Sequence, residues 1–232
     1  MTTVIVMPGT GSDADFAARV FGSSVRDAGA SLECLEPEPN LVGSYLTRID
    51  AIADRGDRVI VGGVSIGAAI ALAWACDPAR SALCDGVLAA LPPWTGRPDG
   101  SVAAQSAQIT ADSIDRDGLD ATVAAMAASS PAWLGTELAR SWRALYPRGL
   151  VTQLRAAATY VAPTLDDIAR LPVPLGVAVA PDDPLHPAVV GRSWADAAPR
   201  SAVADTPLTE FGPDERLLGD ACWAALASAG RR

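Results

Sequence analysis

The sequence predicts an α/β protein: a doubly wound, mainly parallel sheet with a helical cap inserted after the fourth strand. Three observations carry this. Short apolar runs alternate with segments of helical spacing. The third run, Val59-Ile60-Val61, is apolar and β-branched throughout, as in a strand covered on both faces. The alternation is interrupted once, between about residues 95 and 165, by helical segments alone.

In chain order, Val4–Met7 is the first strand. Asp13–Ala28 is a helix, apolar at Phe16, Ala17, Val20, Phe21 and Val25 and stopped by Gly29. Ser31–Leu35 is the second strand, and Gly43–Arg55 a helix with Leu46, Ile49 and Ile52 on one face. Arg58–Gly62 is the third strand, Ile66–Cys76 an apolar helix and Asp85–Ala90 the fourth strand. Past Pro92-Pro93 the helical pieces are Ser101–Arg116, Leu119–Ala128, Trp133–Tyr146 and Leu150–Ala158. Alternation then resumes with strand Val173–Ala180, helix Ala188–Ala197, weak strand Ser201–Asp205 and terminal helix Asp214–Ala229. The core is thus 1–94 with 166–232, and the cap is 95–165. Ligands are expected at the edge where the strands' carboxyl ends open.

Composition narrows the chemistry. Half of the 232 residues are hydrophobic, enough for a large core, and no apolar run approaches the roughly 20 residues that span a bilayer. The net charge of −9 disfavours nucleic acid and anionic membranes as partners. All 18 basic residues are Arg, so Schiff-base chemistry, a Walker A loop and a Ser-Lys dyad are excluded. Cys34, Cys76, Cys84 and Cys222 form no CxxC pair, and Cys34 and Cys76 are expected as buried, reduced thiols. The single imidazole, His186, is far in sequence from every Cys, so no metal is expected. The first residues lack a basic n-region, and the expectation is a cytoplasmic protein.

Gly63-Val64-Ser65-Ile66-Gly67 matches G-x-S-x-G between the third strand and the next helix, the context that motif needs. A serine there sits in a strained turn whose flanking residues approach each other and the neighbouring backbone. Gly63 and Gly67 remove the Cβ atoms that would collide. After the first strand, Pro8-Gly9-Thr10-Gly11 is a second close-approach loop. An oxyanion forming at Ser65 needs two backbone donors, for which the Ile66 and Thr10 amides are the candidates. The same loop also reads as G-x-G-x-x-A through Gly9, Gly11 and Ala14. With Glu36 near the end of the next strand, it admits a dinucleotide-binding reading, hence an NAD(P)-dependent oxidoreductase. That reading gives no reason for the Ser65 motif.

With strand, glycine turn, helix, strand, helix, strand and GxSxG in this order, the chain resembles the α/β-hydrolase superfamily. It is most similar to small capped esterases, lactonases and C–C hydrolases. The resemblance covers nearly the whole chain and lacks the two leading antiparallel strands. The stretch from Leu171 through Asp182-Asp183-Pro184 resembles the acid-bearing strand, which implies Asp183, or else its neighbour Asp182, as the triad acid. Two departures stand out. Pro8-Gly9 replaces the usual His-Gly, which matters little because the donors are backbone groups. The loop after the last strand, Thr206–Gly212, where the family carries its general base, has no His.

His186 follows Asp183 by three residues, in Asp183-Pro184-Leu185-His186-Pro187. Two roles stay open for it: the base that activates Ser65 in a compressed triad, or a residue that caps the next helix or lines the entrance. In the second case Ser65 has only Asp182, Asp183 or Glu210 as poor substitutes. In the cap, Trp94, Trp133, Trp142, Tyr146 and Tyr160 are expected first as core and helix–helix packing, while whichever of them line a pocket with Ala, Leu and Met126 suit an apolar ligand. Arg140, Arg143 and Arg148 are either a carboxylate clamp or a solvated face. The leading expectation is a serine hydrolase for a small apolar ester, thioester or lactone, with no cofactor. Its alternative is a binding protein that keeps the pocket without the triad.

Overall fold

The computed structural model describes residues 2–56 and 58–231. The first half runs β1 (Thr3–Met7), α1 (Ala14–Asp27), β2 (Ser31–Cys34), α2 (Leu41–Ala53), β3 (Val59–Val64), α3 (Ile66–Cys76), α4 (Pro78–Ser81) and β4 (Cys84–Ala90). Helices α5 (Val102–Asp117), α6 (Leu119–Ser129), α7 (Ala132–Leu145) and α8 (Leu150–Ala158) follow, with a short 3-10 turn at Tyr146–Arg148. The chain closes with α9 (Leu165–Ile168), β5 (Leu175–Val179), α10 (Ala188–Ala197), β6 (Ser201–Asp205), α11 (Leu208–Phe211) and α12 (Arg216–Ala229). The sheet order is β2-β1-β3-β4-β5-β6, and every pairing among the described strands is parallel.

Both faces of the sheet are covered, which is why its strands read as continuous apolar runs. Alternate residues divide between two cores. Val4, Val6, Leu88 and Ala178 pack with Val20, Phe21, Leu218 and Cys222 of α1 and α12. Ile5, Met7, Val61 and Val177 pack with Ile49, Ile70, Trp74 and Trp194 of α2, α3 and α10. Each Val, Leu, Ile, Met or Phe among them contributes roughly 1.5–3 kcal/mol on leaving water. The inserted helices hold a third cluster around Ala111, Ile114, Trp142, Leu145, Leu150 and Leu154.

The predicted elements are all present, and their ends differ for local reasons. β3 runs on to Val64, because Gly63 and Val64 still pair with Ala89 and Ala90. β5 begins at Leu175 rather than Val173, since Pro172 and Pro174 have no N–H to donate to a ladder. α12 begins at Arg216 rather than Asp214, with Glu215 at its N-cap and Asp214, one residue earlier, accepting from the Arg216 amide at 3.3 Å. The four-residue helices α4, α9 and α11 are too short to show a period. Cys34 and Cys76, expected buried, are half-buried, and desolvation pushes both thiols up to about 12. Among the described residues, no helix is long and apolar enough to cross a membrane.

Candidate active site

Ser65 occupies the turn between β3 and α3 with φ 54° and ψ −116°, a left-handed backbone on a residue with a side chain. Such a conformation costs roughly 1–3 kcal/mol and persists only where its surroundings enforce it. The enforcement is visible. The Ser65 amide donates to Ala90 O at 2.9 Å, and its carbonyl accepts from Ala69 N at 3.1 Å as α3 begins. A Cβ on Gly63 would lie 2.7 Å from the Gly67 carbonyl carbon, and one on Gly67 would lie 2.8 Å from the Pro8 carbonyl oxygen. Leu91, just past the end of β4, is the other non-glycine residue with positive φ among the described residues, 51°.

His186 and Asp183 leave the carboxyl end of β5 on one loop. His186 Nε2 lies 2.9 Å from Ser65 Oγ, and His186 Nδ1 lies 2.8 Å from Asp183 Oδ2. The other oxygen of Asp183 accepts from the amides of Leu185 at 2.7 Å and His186 at 3.3 Å. Burial alone would push this carboxyl up. The hydrogen bond and charge of His186 and the two amides outweigh it and hold Asp183 below the ordinary 3.8. When the imidazole is neutral, the ionised Asp183 makes Nδ1 the donor and leaves the Nε2 lone pair facing the serine. The ring keeps 15% of its surface exposed and the Asp183 side chain 6%, so the array is sheltered but reachable.

The adjacent Asp182 is engaged elsewhere. It accepts from the amides of Leu208 at 2.6 Å and Thr209 at 3.2 Å, capping α11 in the loop where a base was sought by resemblance. Of the two candidate acids, only Asp183 touches the imidazole. Pro187, not His186, occupies the N-cap of α10.

The loop after β1 approaches the same point. A Cβ on Gly9 would sit 3.5 Å from Ser65 Cβ, and Thr10 follows it. Gly11 has φ +74° and lies under the Trp142 indole of α7, where a Cβ would be 2.6 Å from Nε1. The glycines of the apparent dinucleotide fingerprint therefore serve contacts with Ser65 and Trp142. Ser141 Oγ donates to Gly11 O at 2.8 Å, and Arg140 grips Asp13 with two bonds of 2.8 Å. Sequence reasoning missed this docking of α7; Arg140-Ser141-Trp142 carries no motif that would announce it.

The three candidate arginines are all engaged: Arg140 with Asp13 and Glu137, Arg143 with Asp120 and Arg148 with Glu36. Trp94 is buried and donates to Tyr160 O at 3.2 Å; Trp133 packs edge-on against Phe211. A cleft of about 460 Å³ between α1, α7 and the turn before α12 is lined by Phe16, Arg19, Trp133 and Glu137 and touches none of Ser65, Asp183 and His186.

A parallel sheet with a strained serine between strand and helix, and with helices inserted after β4, defines an α/β-hydrolase fold. The sequence matches the alpha/beta hydrolase family over residues 4–216, and the chain belongs to that family. No curated protein sequence matches it. Similar solved structures include MenH from S. aureus, 13% identical, with a TM-score of 0.74 over 98% of this chain and 94% of that one. A thermophilic esterase from Thermogutta terrifontis is 16% identical, with a TM-score of 0.70 over 97% and 88%. The enol-lactonase from Burkholderia xenovorans LB400 is 14% identical, with a TM-score of 0.67 over 100% and 92%. At these identities the likeness is one of fold.

Proposed function

We propose that this chain is a serine hydrolase that cleaves a small apolar ester, thioester or lactone through an acyl-enzyme. The observation that carries the reading is the continuous hydrogen-bond chain from Asp183 through His186 to Ser65 Oγ. His186 takes the serine proton as Oγ attacks the carbonyl carbon, and Asp183 steadies the imidazolium. The Ile66 and Thr10 amides receive the developing oxyanion. As the intermediate collapses, His186 gives its proton to the leaving oxygen or sulfur. It then takes a proton from water, which attacks the acyl carbon and releases the acid with Ser65 restored.

Residues 95–165 act as the cap, and their apolar lining suits an apolar acyl group better than a sugar or phosphate. A fluorophosphonate probe tests the reading. Labelling is expected in the wild type, absent in Ser65→Ala and strongly slowed in His186→Ala. No labelling of the folded wild type between pH 6 and 9 overturns it in favour of a ligand-binding protein. Equal labelling of His186→Ala removes His186 from the mechanism.

A further inference from the structure

In the proposed mechanism the Thr10 amide receives the oxyanion, and what fixes that amide can be followed bond by bond. Gly9-Thr10-Gly11-Ser12 is a β-turn. The Ser12 amide donates to Gly9 O at 3.0 Å, and Gly11, third in the turn, has the positive φ of 74° that a type II turn needs there. The Thr10 amide is left with no backbone acceptor among the described residues. Its peptide unit starts from Gly9, where a Cβ would lie 3.5 Å from Ser65 Cβ and 3.6 Å from Val64 O, so the elbow walls the turn on one side.

The inserted helices hold the other side. Ser141 of α7 is fully buried, and its Oγ donates to Gly11 O at 2.8 Å. Leu138 O, at 3.3 Å, is the longer alternative for the single hydroxyl proton. Gly11 O and Ser12 N–H belong to one planar trans peptide and point opposite ways; Gly9 O and Thr10 N–H belong to another. The bonds therefore form a relay: Ser141 O–H to Gly11 O, Ser12 N–H to Gly9 O, and Thr10 N–H free at the end. Planarity passes orientation along it, and each bond polarises the next, which strengthens the last donor.

The neighbours of Ser141 touch the same loop outside this relay. Arg140 bonds the Asp13 side chain, and the Trp142 indole packs on Gly11. Of the three, Ser141 is the one bonded to a peptide group of the turn.

We propose that Ser141 is a positioning residue for the oxyanion donor. Its hydroxyl, carried on the cap and out of contact with substrate, sets the direction and the strength of the Thr10 N–H. Docking of the cap and completion of the oxyanion hole are then one event. This inference rests on the serine-hydrolase reading.

The test compares Ser141→Ala with the wild type in hydrolysis of p-nitrophenyl acetate and in inhibition by trifluoroacetone. On that ketone Ser65 Oγ adds to the carbonyl carbon, the serine proton passes to His186, and the carbonyl oxygen becomes the oxyanion of a stable adduct. Outright loss of an oxyanion donor costs about 10²–10³ in kcat, so an amide kept but loosened is expected to cost about tenfold. KM stays nearly unchanged, and the trifluoroacetone Ki rises by a similar factor, because only the oxyanion-bearing states use the donor. Ser141→Cys keeps a weaker donor in the same place and is expected to fall between. Arg140→Ala loosens the same helix without breaking the relay, so its melting midpoint falls while its kcat and Ki stay near wild type. A folded Ser141→Ala with wild-type kcat and Ki overturns the relay. An equal loss of both in Arg140→Ala also overturns it, by assigning the effect to helix docking alone. Failure of the hydrolase reading looks different: the wild type then neither cleaves the ester nor binds the ketone, and the relay falls with it.

Discussion

Asp183→Asn separates the charge of the acid from its shape. In the native loop Oδ1 accepts from two backbone amides, at 2.7 Å and 3.3 Å, while Oδ2 faces His186 Nδ1 at 2.8 Å. An asparagine has one acceptor oxygen and one NH2 group. Turning the NH2 toward the two amides would set donors against donors, so the oxygen stays there and the NH2 faces the ring. Nδ1 must then accept, Nε2 carries the proton, and that proton points at Ser65 Oγ, 2.9 Å away. The base arrives already protonated on the wrong nitrogen. A tautomer inversion of this kind in a serine triad costs about 10⁴ in kcat, or about 5.5 kcal/mol of barrier. The assay is steady-state hydrolysis of p-nitrophenyl acetate, with thermal melting to verify that the fold survives. Asp182→Asn is the matched comparison, because Asp182 caps α11 and touches no ring; its rate is expected to stay near wild type. An Asp183→Asn rate close to wild type, or an equal loss in Asp182→Asn, refutes the reasoning.

Gly67→Ala puts a methyl 2.8 Å from the Pro8 carbonyl oxygen; overpacking against backbone costs about 1–3 kcal/mol. A lowered melting midpoint and slowed fluorophosphonate labelling are expected, and an unchanged midpoint would count against the elbow's crowding. Arg140→Ala leaves Asp13, with 7% of its side chain exposed, without its ion-pair partner; because Arg140 is itself 41% exposed, the loss is discounted to about 1–2 kcal/mol. Melting midpoints check this, with a fall of about 2–8 °C expected, and Arg140→Lys recovering only part of it because the bidentate fork is gone. Both Asp13 and Asp183 are held below their ordinary 3.8, so their contribution to stability is full above that value and is lost as pH falls through the lower native values. The melting midpoint should therefore drop steeply below about pH 4, less so in Asp13→Asn, and a flat acid profile would contradict the assignment.

The fold was legible because its signals are local and repeated. A helix such as Ile66–Cys76 or Ala188–Ala197 declares itself by composition and length, and its bounds match the structure. Ser65 was legible for the same reason, since the constraint that requires glycines at 63 and 67 is written within five residues. The partnership of His186 with Ser65 was legible only as one of two open roles: the two are 121 residues apart, and the resemblance places the base in another loop. The seating of Trp142 on Gly11 was less legible still. It depends on the angle at which the inserted helices meet the sheet, which no residue pattern encodes.

In the proposed mechanism, the base and the acid sit on one loop, and the sheet sets where that loop stands. Asp183 and His186 are three residues apart, and the amides of Leu185 and His186 bonded to Asp183 Oδ1 fix their relation within a single turn. No second loop has to be brought into register to complete the acid–base pair. One long-range distance remains, from His186 to Ser65, and the strand ends set it. The Ser65 amide closes the ladder onto Ala90 O of β4, and the Leu91 amide closes it onto Ala178 O of β5. Both residues take up positive φ at those points, so the ladder runs without a gap from the serine's strand to the strand that carries the histidine. The loop after β6 holds α11, whose Leu208 and Thr209 amides donate to Asp182. A substitution that frays β4 at Ala90 or Leu91 should therefore slow acylation as surely as one at His186, although neither residue offers a group that takes part in the chemistry.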